Sequence, residues 1–255
     1  MSDTTPKHAP GTPVWVDLGS PDPQASARFY GQLFGWQAED LGEAAGHYTM
    51  FRHDGKQVAA VGGLMSPGQP TVWSTYVAVS DAADTARRVT EAGGQVLAPP
   101  FAVMEEGTMA VFMDPSGAAF SVWQPARMQG AEKFNEPVSL SWNELQTRDP
   151  ETAKAFYPKV FGWGVESLAN PMGEYIMWQV NGKPVGGGMA MGPNIPPQVP
   201  PHWLVYFSVA NTDDVIKRAK ELGGSVMSGP HESPQGPFAV IVDPQGATFA
   251  VIQNA

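Results

Sequence analysis

The sequence predicts an α+β chain made of two tandem copies of one domain. Three observations carry that prediction. The stretch "FYGQLFGW" at residues 29–36 returns as "FYPKVFGW" at residues 156–163, 127 positions further on. The correspondence then runs through most of the chain: Trp15 falls on Trp142, Tyr48 on Tyr175, Trp73 on Trp203, Gly93-Gly94 on Gly223-Gly224, Asp114-Pro115 on Asp243-Pro244 and Phe120 on Phe249. The offset drifts by only a few positions, so insertions are confined to loops such as "GPNIPPQVPP". A period this long means two homologous domains, because solenoid repeats run to about 20 to 50 residues.

Each copy has the rhythm of a strand, a helix and further strands. "PVWVDL" alternates as a strand. In "SPDPQASARFYGQLFGW" the residues Phe29, Tyr30, Leu33 and Phe34 recur at helical spacing, which lays an aromatic stripe on a sheet. Tyr48 to Arg52 and Gln57 to Leu64 read as strands around the turn "HDGK". The rhythm restarts with the strand "WSTYVAV" and a helix from Asp81 to Glu91, with Asp81 as its N-cap and Gly93-Gly94 as its stop. Strands near Gln95 to Ala98, Met109 to Met113 and Ala118 to Trp123 follow, the last two joined by the turn Asp-Pro-Ser-Gly. The unit is βαβββ, used twice per copy. A flexible N-terminal tail is expected over residues 1–11, a first domain over 12–125, a linker over 126–137 and a second domain over 138–255.

Composition narrows the class. With 42% hydrophobic residues and eight tryptophans, the 255-residue chain can bury a sizeable core. No apolar run approaches the roughly 20 residues that span a bilayer, and "MSDTTPKHAPGTP" lacks the apolar segment of a signal peptide. A cytoplasmic protein is expected. Having no cysteine excludes disulfides, thiol nucleophiles and thiolate metal sites. The net charge of −10 is spread over both copies without blocks, so neither a nucleic-acid partner nor a membrane partner is expected.

The stretches "DPQASARFYGQLFGW" and "DPETAKAFYPKVFGW", the "GG-x-V" after each second helix and the closing "DP-x-GA-x-F" resemble the vicinal oxygen chelate superfamily. That superfamily includes glyoxalase I, the bleomycin resistance proteins and the extradiol dioxygenases. The doubled form is similar to the actinobacterial culture-filtrate antigen group of tandem glyoxalase-like proteins. The resemblance implies two domains, each a curved, open, barrel-like sheet with its helices outside. It also implies a divalent ion in metal-dependent members, held by His, Gln or Glu on four strands.

Carried onto this sequence, the family's ligand positions fall on Trp15 and Trp142 in the first strands. They fall on Ser74 and Leu204 in the fifth strands, and on Ser121 and Ala250 in the last. The remaining position lies within "VAAVGG" and "VGGGMA", which hold neither an acid nor an imidazole. These residue types predict no metal site and no cofactor. His202 is the one nearby imidazole. It shares a strand face with Leu204 and Tyr206, sits two positions out of register and has Val72 as its counterpart. It reads as a loop or rim residue or as a metal ligand, and is kept among the candidate ligand-binding residues. His8, His47, His53 and His231 fall at turns or ends and are given no role.

Alternation assigns the faces. Val14, Val16 and Leu18 should pack on the helices, leaving Trp15 and Asp17 on the concave side, with Trp142 and Glu144 their equivalents. Ser74, Tyr76, Ser121 and Trp123 complete one cavity; Tyr206 and His202 contribute to the other. Such a surface suits a flat organic ligand. The tryptophans are open to a packing reading as well as a binding one. Asp17 and Glu144 are open to two readings: catalytic acid-base groups, or acceptors of structural hydrogen bonds. The strand glycines lack a nucleotide-loop context and point to bulges or close approach of a backbone.

Two functions are therefore expected as alternatives. One is a metal-independent small-molecule binding protein of the glyoxalase and bleomycin-resistance fold, monomeric or homodimeric, taking an aromatic or natural-product ligand. The other is a lyase, isomerase or oxygenase acting on a reactive carbonyl or polyketide-like substrate, with Asp17 or Glu144 as the acid-base group.

Overall fold

The computed structural model describes residues 7–66, 68–170 and 173–254. The first six residues of the expected N-terminal tail lie outside that range. In the first repeat the order is β1 (Pro13–Ser20), α1 (Pro23–Phe34), β2 (Gln37–Asp40), β3 (Thr49–His53) and β4 (Lys56–Gly63). It continues with β5 (Val72–Ala78), α2 (Ala82–Glu91), β6 (Gln95–Val103), β7 (Gly107–Met113) and β8 (Ala119–Pro125). The second repeat gives β9 (Leu140–Thr147), α3 (Pro150–Phe161), β10 (Gly164–Asn170), β11 (Gly173–Val180) and β12 (Lys183–Ala190). It closes with β13 (His202–Ser208), α4 (Thr212–Glu221), β14 (Ser225–His231), β15 (Phe238–Val242) and β16 (Thr248–Ile252). The result is four βαβββ modules in two open eight-stranded sheets, ordered β2, β3, β4, β1, β5, β8, β7, β6 and β10, β11, β12, β9, β13, β16, β15, β14.

Local chemistry explains the boundaries. Asp22 and Asp149 cap α1 and α3 by accepting from the Ala25 and Thr152 amides, with proline in the first helical turn. Both helices end on a left-handed glycine, Gly35 at φ 72° and Gly162 at φ 71°. Asp81 caps α2 as expected, and Asn211 does the same for α4. The strand β2 carries no signal in the sequence, because all four of its residues are exposed and show no alternation. It is held by its antiparallel pairing with β3.

The compact units do not follow the repeats. One unit, called inner because it is built on the two middle modules of the chain, contains Thr75–Gly130 and Trp142–Trp203, with the described residues up to Val14; the other, called outer because it is built on the first and last modules, contains Trp15–Ser74, Ala131–Ser141 and residues 204–254. Each unit thus joins one module from each repeat. In the outer unit Val16, Leu18, Phe29, Tyr30 and Trp73 share a core with Val205, Phe207, Phe249 and Val251. In the inner unit Val77, Phe112, Phe120 and Val122 share a core with Leu145, Phe156, Tyr157 and Trp203.

The repeated motifs are the parts that meet across repeats. In the outer unit the Tyr30 hydroxyl donates to Asp243 at 3.0 Å and accepts from the Trp73 indole at 2.9 Å. In the inner unit Tyr157 donates to Asp114 at 2.9 Å and accepts from Trp203 at 3.0 Å. Asp114 and Asp243 each spend their other oxygen on their own hairpin turn, accepting from the Ser116 and Ala118 amides and from the Gln245 and Ala247 amides. The Phe of each "FY" pair lies against the double glycine of the other repeat. A Cβ at Gly94 would stand 2.9 Å from Phe156, and one at Gly224 would stand 3.4 Å from Phe29.

The tryptophans of "FGW" complete the exchange. Trp163 donates to the Gly11 carbonyl at 2.7 Å, and Trp36 donates to the Val138 carbonyl at 2.8 Å. Gly11 and Val138 precede the first strand of their repeats. Residues 7–11, the described part of the expected tail, are held here and by a Lys7 amide bond to Gln129. Of the linker, residues up to Gly130 belong to the inner unit and those from Ala131 to the outer. Its Glu132 accepts from the Gln57 amide and its Lys133 pairs with Asp54.

Removing either hydroxyl leaves a buried Asp oxygen without its donor. Tyr30→Phe and Tyr157→Phe should each cost about 1 to 3 kcal/mol, read from the urea midpoint. Burial, reinforced by the neighbouring Asp, pushes both phenols well above their ordinary value. Above a pH of about 10 the unfolded chain therefore releases protons that the folded chain keeps, and stability present below that pH is lost as pH rises. The urea midpoint should fall between pH 8 and pH 11, and fall less in the Phe variants. Equal falls would mean that these hydroxyls do not carry the effect.

Candidate functional site

Strand alternation accounts for most of the side chains; Val14, expected on the helix side, is buried but belongs to neither core cluster. Val16 and Leu18, Val77 and Val79, Val205 and Phe207, and Phe249 and Val251 lie in the helix-side cores. Trp15, Tyr76, Trp123, Trp142, Leu204, Tyr206 and Ala250 belong to neither core cluster, as expected for the opposite face. Trp15 is nonetheless buried, at 3% exposure, whereas Trp142 is partly exposed.

On that face the first module holds a chain of three side chains. The Trp15 indole donates to the Tyr48 hydroxyl at 3.2 Å, and Tyr48 donates to Asp17 at 3.0 Å. Trp15 and Asp17 come from alternate positions of β1, and Tyr48 from the turn entering β3. The third module repeats the arrangement. Trp142 donates to the Tyr175 hydroxyl at 2.9 Å, and Tyr175 bonds to Glu144. Burial, with the negative charge of Glu144 beside it, raises the Tyr175 pKa far above the ordinary phenol range. The phenol therefore stays a proton donor to the carboxylate at neutral pH. Each chain polarises toward its acid and presents an indole, a phenol and a carboxylate in sequence.

Tyr48 and Tyr175 are the residues that face assignment alone misses. The available signal was their correspondence in the two repeats at constant distance, 33 positions, from Trp15 and Trp142. Gly187 was also legible only in part. It pairs with Glu144 across the parallel β9 and β12 strands, and a Cβ there would collide with the Tyr175 hydroxyl and stand 2.9 Å from the Trp142 indole nitrogen. The glycine marks close approach by a side chain, where a bulge or a neighbouring backbone was expected. The first module differs: Ala60 pairs with Asp17, and Tyr48 lies over Gly62.

The other predicted residues fall in separate places. Tyr76 and Ser121 are register neighbours on β5 and β8, with Trp123 one position pair further on, all in the inner unit. Trp123 covers Gly107 and donates to the Met128 carbonyl at 2.8 Å. Ser74 belongs to the outer unit. Tyr206 pairs with Ala250, and its ring lies 6.2 Å from that of Phe238. His202 opens β13 in the inner unit, and its Nδ1 lies 2.9 Å from the Pro200 carbonyl. Burial lowers its pKa, so the ring is neutral, with Nδ1 as donor and Nε2 left as an acceptor.

The residues at the family's ligand positions do not fit a divalent ion. The Trp15 and Trp142 indoles are donors engaged with tyrosine, and Leu204 and Ala250 have no donor atom to offer a metal. Among the described residues no group of three or more His, Asp or Glu is gathered. No helix among them is long and apolar enough to cross a membrane.

Gly187→Ala should evict Tyr175 from its place between Trp142 and Glu144 and cost about 1 to 3 kcal/mol in urea unfolding. Gly63→Ala, where a Cβ meets nothing within 4 Å, is the control and should change stability by less than about 1 kcal/mol. Equal midpoints for the two variants would break the assigned packing.

Comparison with known proteins fixes the lineage. The model of the "Glyoxalase/Bleomycin resistance protein/Dioxygenase superfamily" matches residues 12–122 and again 139–251. The chain is 42% identical to the anthracycline biosynthesis protein DauV of Streptomyces sp. (strain C5), over 97% of this chain and 94% of that one. It is 40% identical to CFP32 of Mycobacterium bovis, over 96% and 95% of the two chains. The Mn(II)-bound glyoxalase from Novosphingobium aromaticivorans shares the fold, with a TM-score of 0.66 at 20% identity over 96% of this chain and 82% of that one. The chain belongs to the glyoxalase/bleomycin resistance protein/dioxygenase superfamily, as a tandem member.

Proposed function

We propose that this protein is a metal-independent binding protein for a planar, hydroxyl-bearing aromatic natural product. The observation that carries the reading is the repeated chain of indole, phenol and carboxylate, which begins at the first-strand positions that the family resemblance assigns to a metal ligand. A ring would stack on the partly exposed Trp142 indole or on the edge of the partly exposed Tyr48 or Tyr175 phenol, and a phenolic or ammonium donor on the ligand would bond the carboxylate that the tyrosine orients. Trp15, Asp17 and Tyr48 would serve one module; Trp142, Glu144 and Tyr175 would serve another. Tyr76, Ser121, Trp123, Ser74, Tyr206 and His202 extend the candidate surface. The likeness to DauV, an anthracycline biosynthesis protein, supports a natural-product ligand.

A second reading keeps the same residues and makes the protein an enzyme on such a substrate. It is favoured by the Tyr48 bond to Asp17, since a carboxylate oriented by a phenol is placed to exchange a proton with a ligand hydroxyl or an acidic C–H. The two readings part on substitution of the acid.

Titration with a panel of hydroxylated anthraquinones should quench tryptophan fluorescence, and Trp15→Ala or Trp142→Ala should weaken the best of them severalfold while the fold survives. A chelator should leave the thermal midpoint unchanged, because no bound ion contributes by mass action. One tightly held metal per repeat after dialysis would overturn metal independence. Asp17→Asn or Glu144→Gln that abolishes turnover and spares affinity would decide for the enzyme.

A further inference from the structure

The two repeats place the same three residue types together but surround the carboxylate differently. Two positions beyond Glu144 on β9, and so on its face, stands Gln146, whose Nε2 donates to the Glu144 carboxylate at 2.6 Å. Tyr175 bonds the same carboxylate, and Glu144 is only 7% exposed. Two positions beyond Asp17 on β1 stands Gly19. A Cβ built there meets only ordinary contacts, the Gln69 amide nitrogen at 3.5 Å, the Leu64 side chain at 3.6 Å and the Val72 carbonyl at 3.9 Å. Asp17 is partly exposed.

The parallel strand alongside shows the same divergence. Glu144 is flanked by Gly187, whose missing side chain lets the Tyr175 hydroxyl settle onto the backbone. Next on that face comes Met189, which pairs with Tyr175. In the first module the flanking residue is Ala60 and the next on its face is Gly62, with the Tyr48 ring lying over it. The third module thus adds bulk and a strand-borne donor around its acid. The first presents small residues.

We infer that the two acids have divided their tasks: Asp17 is the carboxylate that meets a ligand, and Glu144 is fastened by Gln146 as a positioning group for Trp142 and Tyr175. Gly19 and Gln146 are then the residues that decide which of the two acids is accessible. This rests on the binding function proposed above for the ligand itself, while the difference in access stands on the geometry alone.

Two measurements on the full chain separate these levels. Coupling of a small amine to carboxylates with a water-soluble carbodiimide, read by peptide mass spectrometry, should modify Asp17 severalfold faster than Glu144. Gln146→Gly should raise the Glu144 rate severalfold, and Gly19→Gln should lower that of Asp17. Equal rates in the unsubstituted chain, or a Glu144 rate that ignores position 146, would overturn the division. In the second arm, 1,2-dihydroxyanthraquinone should bind once per chain and protect Asp17 while leaving Glu144 unchanged, with Gly19→Gln weakening it at least severalfold. Two molecules per chain, or protection of Glu144, would also overturn it. If none binds, the ligand function fails, and the labelling rates alone decide the difference in access.

Discussion

A tyrosine hydroxyl held between an indole and a buried aspartate, once in each unit, is the contact on which the rest of this structure depends. Tyr30 joins Trp73 to Asp243, and Tyr157 joins Trp203 to Asp114. The aspartates are 4% and 2% exposed, so each needs every donor available to it. One oxygen is satisfied by the hairpin turn of its own module. The other is satisfied only when the helix of the opposite repeat is in place. The bond makes the turn and the helix a single condition, and around it Tyr30 and Tyr157 each stack or cross several aromatic rings.

That condition explains why the chain repeats its motifs so closely. The helix end, the double glycine and the Asp-Pro turn read as independent features of one repeat, yet each finds its partner in the other repeat within the same unit. Phe29 lies on Gly224, Phe156 on Gly94, and the two "FGW" tryptophans hold the entry to the opposite repeat's first strand. A substitution in the helix end of one repeat is therefore felt at the turn of the other. Duplication here produces two chemically matched halves for each core, which constrains both copies to keep the same aromatic and small residues at these contacts.

Much of this was legible in the sequence, though not the pairing. The repeat, the order of strands and helices, the cap at Asp81 and the alternation of β1 all follow from periodicity and local chemistry, which are properties of neighbouring residues. The strand Gln37–Asp40 was not legible, since an exposed edge strand satisfies no hydrophobic pattern. The exchange of partners between repeats was not legible either. A matched motif pair is consistent with contacts inside a repeat or between repeats, and nothing local distinguishes them. At the site, alternation puts Trp15, Asp17, Trp142 and Glu144 on one face, and the two tryptophans lie outside both helix-side core clusters. It missed Tyr48 and Tyr175 because they lie 31 positions from the acids they bond.

The same physics governs the core and the candidate site, with opposite consequences. In the core a phenol bonds an aspartate whose other oxygen is closed by backbone amides, and the assembly has nothing left to offer a ligand. At Glu144 a phenol and a side-chain amide converge on the acid, which brings that carboxylate close to the core arrangement. At Asp17 the strand supplies a glycine where the other repeat supplies the amide. Desolvating a carboxylate costs several kcal/mol unless donors replace its water. Burying Glu144 requires the donors that its strand and Tyr175 provide, whereas partly exposed Asp17 can retain solvent on one side. Under the proposed binding function, that retained access is what a hydroxyl-bearing planar ligand would use at Asp17, and the same desolvation cost that fastens Glu144 would keep the other acid closed to it.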